Sequence, residues 1–138
     1  MDIKTQCQSA TKELIEKENL GIIKYDVSLK TLTSLGIGGV AKYLYFPKDV
    51  ESLIKVIKFT SKKNLKYFIL GNGTNLLFKD VIYEYLFIKL SNITKMKSLG
   101  NNRFWCEAGA QGITFSKYVI SHHSSGSEFL SIIPGVKP

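Results

Sequence analysis

The sequence is poor in the residues that mark specialised small proteins. Its 138 residues include two cysteines, Cys7 and Cys106. They lie far apart and outside any C-x-x-C spacing, which excludes a disulfide scaffold and argues against a zinc finger. Such thiols fit a reducing, cytoplasmic setting. No apolar run approaches the roughly 18 residues of a membrane span, so no membrane partner is expected. The N-terminal MDIKTQCQSA has no apolar stretch behind its charges, and no secretory signal is expected. Arginine is almost missing. Lys and Arg total 19 against 11 acids, a net charge of +8, and Arg103 is the sole arginine. Nucleic-acid readers favour the planar guanidinium fork, so scattered lysines read as generic surface and no nucleic-acid partner is expected. A small anionic ligand suits the same charge. Internal repeats and low-complexity linkers are also absent.

What is present suffices for a folded core. Hydrophobic residues make up 44%, aromatics 12% and charged residues 22% of the chain, too apolar a mixture for disorder. Residues 5–20 predict a helix with a narrow stripe of Ala10, Leu14 and Ile15, stopped by Gly21 and loosely docked. Residues 22–35 show no period and read as extended. A strand is predicted over Ala41–Phe46, ended by Pro47. Asp49 is placed to cap a helix whose apolar residues Val50, Leu53, Ile54 and Ile57 follow i, i+3, i+4, i+7. Tyr67–Leu70 is a short continuous apolar run, the pattern of a strand covered on both faces. Residues 41–70 therefore read as a β-α-β unit. Leu86–Leu90 predicts a strand. A hairpin is predicted around Gly100-Asn101-Asn102, from Ile93–Leu99 to Arg103–Ala110. Thr114–Ser121 predicts a helix with Phe115, Tyr118 and Val119 inward.

Two glycine clusters invite a chemical reading. Gly36-Ile37-Gly38-Gly39-Val40-Ala41 matches the dinucleotide fingerprint in letters alone. That fingerprint must follow a strand and open a helix, whereas this one opens a strand, so it reads as a turn. Gly71-Asn72-Gly73-Thr74-Asn75 follows a strand directly, where ligands bind in α/β layers. Its glycines allow close backbone approach, and successive N–H groups in such a turn make an anion hollow. A tight turn with structural glycines explains the same letters. No Lys-Ser/Thr pair follows Gly73, so it is not a triphosphate loop. His122-His123 point apart on a helix and lack partners at ligand spacing. They read as solvated helix-end residues, and no metal is expected.

The order of motifs carries more than any one of them. Thr33–Tyr43 reads T-S-L-G-I-G-G-x-A-x-Y, and Leu70–Leu77 reads L-G-N-G-T-N-L-L. Glu107–Ala110 reads E-A-G-A, and Gly126–Gly135 reads G-S-E-F-L-S-I-I-P-G. In this order and spacing they resemble the N-terminal, FAD-binding part of the UDP-N-acetylenolpyruvoylglucosamine reductase (MurB) family, flavoenzymes of cell-wall precursor synthesis. The resemblance implies an α+β fold, a two-lobed FAD-binding domain of the PCMH (vanillyl-alcohol-oxidase) type with FAD between the lobes. It implies that Gly71, Asn72, Gly73, Thr74, Asn75 and Leu76 wrap the FAD pyrophosphate with backbone N–H groups. Ala108, Gly109 and Ala110, with Ile133, Pro134 and Gly135, would approach from the second lobe. Thr33–Gly39 would close over the cofactor.

The resemblance also implies a reaction. NADPH reduces FAD, and the reduced flavin passes hydride to the enolpyruvyl double bond of UDP-N-acetylglucosamine enolpyruvate, giving UDP-N-acetylmuramate. A serine supplies the proton while an arginine and a glutamate stabilise the intermediate. In the family these three lie downstream of the I-P-G segment, so no catalytic residue is assigned here. This chain alone is expected to be inactive, and the UDP-sugar to bind only with the missing domain. Ile132 stands where the family commonly has Gly, and Ser127 where it has an apolar residue. The expected organisation is an N-terminal helix over 1–25, a first lobe over 26–80 and an incomplete second lobe over 81–138. The alternative is a non-catalytic, truncated flavin-binding or interaction domain.

Overall fold

The computed structural model describes residues 3–122, with side chains from residue 9. The Gly126–Gly135 motif, with Ile133, Pro134 and Gly135, lies outside the described residues. The chain divides after Asn92 into two compact units. The expected lobe boundary after residue 80 falls earlier than this, because 82–89 pairs into the first unit's sheet.

Helix α1, Ile3–Lys17, opens the first unit. Asn19, not Gly21, ends it. Asn19 takes φ 51°, and the Leu20 N–H closes back on the Ile15 carbonyl at 3.0 Å, a left-handed helix cap. Gly21 serves a different need: a Cβ there would sit 2.1 Å from the Phe46 carbonyl oxygen. The helix is firmly docked, contrary to the sequence expectation. Ile15 is fully buried, and Glu18 pairs with Lys55 at 2.9 Å. The buried Tyr45 hydroxyl donates to the Leu20 carbonyl at 2.8 Å.

Strand β1, Gly21–Ser28, was invisible as a period because its residues are mostly part-exposed and Asp26 breaks it at φ 50°. A single helical turn, Leu29–Leu32, follows. Strands β2 (Val40–Pro47), β3 (Tyr67–Leu70) and β4 (Ile82–Lys89) complete a sheet in the order β1-β2-β4-β3. β1 runs antiparallel to β2, while β2 and β3 both run parallel to β4. β3 is an edge strand, and it is not covered on both faces, since Ile69 is 44% exposed.

Helix α2, Val50–Lys62, joins β2 to β3. Asp49 caps it as expected, accepting from the Ser52 N–H at 2.8 Å. Its buried residues are Ser52, Val56 and Thr60 rather than the predicted face, and Ile54 is 45% exposed. Ser52, Val56 and Thr60, at i, i+4 and i+8, form one narrow buried stripe. Thr60 satisfies its hydroxyl on the Val56 and Ile57 carbonyls. On the other sheet face, Leu29, Ala41, Leu44, Leu70, Phe78 and Phe87 form the core. Phe68, Tyr83 and Tyr85 extend it as ring contacts, with Tyr85 stacked on Phe87 at 5.1 Å.

The second unit begins with a hairpin of β5 (Met96–Gly100) and β6 (Arg103–Cys106). Its turn places Gly100, Asn101 and Asn102 at positive φ, the conformation that glycine and asparagine tolerate best. Helix α3, Gly112–His122, follows. Val119 and Ser116 are buried, and Phe104 meets Phe115 and Tyr118 edge-on.

Candidate functional site

The loop between β3 and β4 begins at Gly71 and carries the second glycine cluster. Its two glycines differ in what they answer to. Gly73 takes φ +72°, and a Cβ there would lie 2.0 Å from the Leu32 carbonyl oxygen. Its carbonyl accepts from the Ser34 N–H at 3.1 Å. Gly73 is therefore required by the chain itself. Gly71 has no positive φ, and a Cβ there would meet nothing within 4 Å. Nothing in the described protein demands a glycine at 71.

The loop's backbone donors are also open. Among the described residues, none of the N–H groups of residues 71–76 donates a hydrogen bond. Asn72, Thr74 and Asn75 are exposed, Leu76 is half-buried, and Gly73 is buried. The N–H groups of the exposed Asn72, Thr74 and Asn75 are left to solvent or to a ligand. The loop's opposite side is held down. Leu90 N–H donates to the Leu70 carbonyl at 3.1 Å, and Leu76 packs on the core with Phe78.

The first glycine cluster forms part of that support. Gly39 N–H donates to the Lys79 carbonyl at 3.0 Å, and Leu29 N–H donates to the Gly39 carbonyl at 2.9 Å. A Cβ on Gly39 would sit 1.9 Å from the Val81 carbonyl oxygen. Thr33 Oγ1 donates to the Ile37 carbonyl at 3.2 Å. Within the first unit, the Thr33–Gly39 segment thus lies against the loop that carries the second cluster.

One residue here escaped sequence reasoning. Lys89 ends β4 opposite Leu70, and its Nζ donates to the Gly71 carbonyl. Burial pushes its ammonium below the ordinary lysine value. The available signal was a lone charge inside the apolar run Leu86–Leu90.

The second unit holds the Ala108–Ala110 turn. Gly109 is buried, and its N–H donates to the Ile93 carbonyl at 2.9 Å; the Ala110 N–H donates to the Glu107 carbonyl at 3.1 Å. Two of the turn's three donors are therefore spent internally. Glu107 braces the turn: its Oε2 accepts from the Lys95 N–H at 2.6 Å and its own N–H reaches the Lys95 carbonyl at 2.9 Å. Burial and the Glu107 charge raise the Cys106 thiol above its ordinary pKa. His122 is exposed, with its ring stacked 4.2 Å from Tyr118. The described residues contain no group of three or more potential metal-binding side chains, and no helix among them is long and apolar enough to cross a membrane.

Residues 41–136 match the FAD binding domain family. The chain belongs to that family. It is also 34% identical over 119 residues to a UDP-N-acetylenolpyruvoylglucosamine reductase of Treponema denticola, covering 83% of this chain and 37% of that protein. The reductase of the same name from Clostridium kluyveri is 34% identical over 124 residues, covering 90% of this chain and 40% of its own. The crystal structure of UDP-N-acetylenolpyruvylglucosamine reductase (MurB) from Thermus caldophilus matches with a TM-score of 0.59 at 27% identity. That match covers 82% of this chain and 39% of the other. The chain thus spans about two fifths of the length of these relatives. Its likeness is to the N-terminal, FAD-binding portion of the reductases, and its α+β architecture fits the PCMH-type FAD-binding fold.

Proposed function

We propose that this chain is the flavin-binding portion of a UDP-N-acetylenolpyruvoylglucosamine reductase, with the Gly71–Leu76 loop gripping the FAD diphosphate. One observation carries the reading. Gly71 is free of any steric or conformational need inside the described protein, and it opens a loop whose N–H groups point to no partner there. A glycine beside unspent donors fits a backbone that an anion must approach closely. The residues present therefore suit the cofactor. Gly71, Asn72, Gly73, Thr74, Asn75 and Leu76 would hold the diphosphate. The resemblance adds Ala108, Gly109, Ala110, Ile133, Pro134 and Gly135 to the cofactor contacts. When bound, FAD supplies hydride chemistry, with NADPH as the reductant.

The chain's own task in that reaction is to bind and orient. Fixed N–H dipoles neutralise two phosphate charges without reorganising on binding. Reduction of UDP-N-acetylglucosamine enolpyruvate for peptidoglycan synthesis, in the cytoplasm, belongs to the same proposal. The test is direct. The purified chain is mixed with FAD and desalted, and flavin absorbance near about 450 nm is read. Retained flavin in equal amount with the protein is expected; a colourless protein overturns the reading. Oxidation of NADPH dependent on the UDP-sugar separates a catalytic chain from one that only binds flavin.

A further inference from the structure

We infer that Lys89 is a positioning residue for the anion hollow: by donating to the Gly71 carbonyl it sets the Gly71–Asn72 peptide so that the Asn72 N–H is presented to a bound diphosphate. This rests on the loop reading proposed above. The placement is built by the sheet. β3 and β4 pair in register from Tyr67–Leu86 to Leu70–Lys89, which sets Lys89 beside the residue that precedes Gly71. Phe87, two residues earlier on the same face, belongs to the buried core. Lys89 is itself half-buried, and a hydrogen-bond partner offsets the hydration its ammonium loses there. Among the described residues, its hydrogen bond goes to the Gly71 carbonyl.

That bond has a consequence across the peptide plane. In a trans peptide the carbonyl and the following N–H point in opposite directions. Anchoring the Gly71 oxygen toward Lys89 turns the Asn72 N–H to the other side. Without the anchor, the 71–72 peptide is free to flip by coupled rotation of ψ at Gly71, which glycine leaves wide, and φ at Asn72, a residue that tolerates the left-handed region. A flipped peptide offers its carbonyl oxygen to the anion, converting attraction into repulsion. The ammonium also polarises the peptide and strengthens the N–H as a donor. Burial lowers the lysine pKa, in keeping with a half-buried ammonium.

The experiment compares the full chain with K89M and K89R. FAD and riboflavin are titrated by flavin fluorescence, and the Asn72 amide resonance is followed without ligand. K89M keeps the apolar stem but removes the donor. It is expected to weaken FAD about tenfold while riboflavin, which lacks phosphate, changes by less than about twofold. K89R is expected to restore most of the FAD affinity. An FAD affinity unchanged in K89M, or an equal loss for riboflavin, overturns the inference. Should the wild-type chain take up no flavin, the proposed function fails, and the anchor is judged on the amide alone. An Asn72 resonance that K89M leaves in place then rejects it, whereas a shift that K89R reverses upholds it.

Discussion

Alanine at Gly73 and alanine at Gly71 should do opposite things. At Gly73 the new Cβ would point into the Leu32 carbonyl at 2.0 Å, with φ at +72°. The left-handed conformation costs a non-glycine residue roughly 1–2 kcal/mol. Relieving the clash means moving the Leu32–Thr33 backbone, which endangers the Ser34–Gly73 hydrogen bond of 3.1 Å, worth about 1 kcal/mol. G73A is therefore expected to lose about 3 kcal/mol, lowering the melting midpoint by on the order of 10 °C. At Gly71 the new methyl meets nothing within 4 Å and no positive φ. G71A should melt within about 2 °C of the parent, since only unfolded-chain entropy changes. Its FAD affinity should nevertheless fall by at least about tenfold, because the methyl occupies the approach to the donors. Circular dichroism melts and flavin fluorescence titrations read the two quantities separately. If G71A melts like G73A, the claim that nothing inside the protein needs Gly71 is wrong. If G71A binds FAD like the parent, the open side of this loop is not the diphosphate site.

Three smaller tests address the scaffold. D49A removes the α2 cap that accepts from Ser52 at 2.8 Å and should cost about 1 kcal/mol in urea unfolding; no change would mean the cap is replaced by water. Burial first, and the Asp49 charge second, raise the Tyr45 hydroxyl above its ordinary value. The folded state therefore holds that proton more tightly than the unfolded chain does. The resulting stability is complete below pH about 10 and is lost as pH rises beyond it. Y45F should flatten this alkaline limb in melts taken across that range, at the cost of the Leu20 hydrogen bond at neutral pH; an unchanged limb would refute it. E107A removes the acceptor for the Lys95 N–H at 2.6 Å and should speed amide hydrogen exchange at Lys95 and Gly109 several-fold; exchange left unaltered would show the turn needs no brace.

Legibility followed the strength of local rules. The α2 cap, the β-α-β order and the Gly100–Asn102 turn rest on short-range chemistry, and each could be read from a few letters. What failed depended on distant partners. The buried face of α2 uses Ser52 and Thr60, which a hydrophobic pattern ranks as polar, although Thr60 satisfies its hydroxyl within the helix on the Val56 and Ile57 carbonyls. Tyr67–Leu70 looked fully covered but forms an edge, since β4, not β3, took the place next to β2. Strand β1 stayed hidden because one partner strand and partial exposure leave no alternation to see. The candidate loop was legible as letters. Its split into one structural and one open glycine required the position of Leu32, a residue about forty positions away in the chain.

That split explains why the two glycine clusters occur together. A loop that presents N–H groups to an anion cannot spend them on its own fold, so its rigidity must come from its carbonyls and its back. Gly73 gives its carbonyl to Ser34, Gly71 gives its carbonyl to Lys89, and Lys79 gives its carbonyl to Gly39. Two carbonyls of the 71–76 loop are used in this way, while among the described residues no N–H group of 71–76 donates to a partner. The first cluster is glycine-rich because it has to reach these carbonyls: at Gly39 the Val81 oxygen leaves no room for a side chain. A dinucleotide fingerprint would use such glycines to meet the ligand. Here Gly38 and Gly39 meet the protein, and they hold still the loop whose Gly71 we propose meets the ligand.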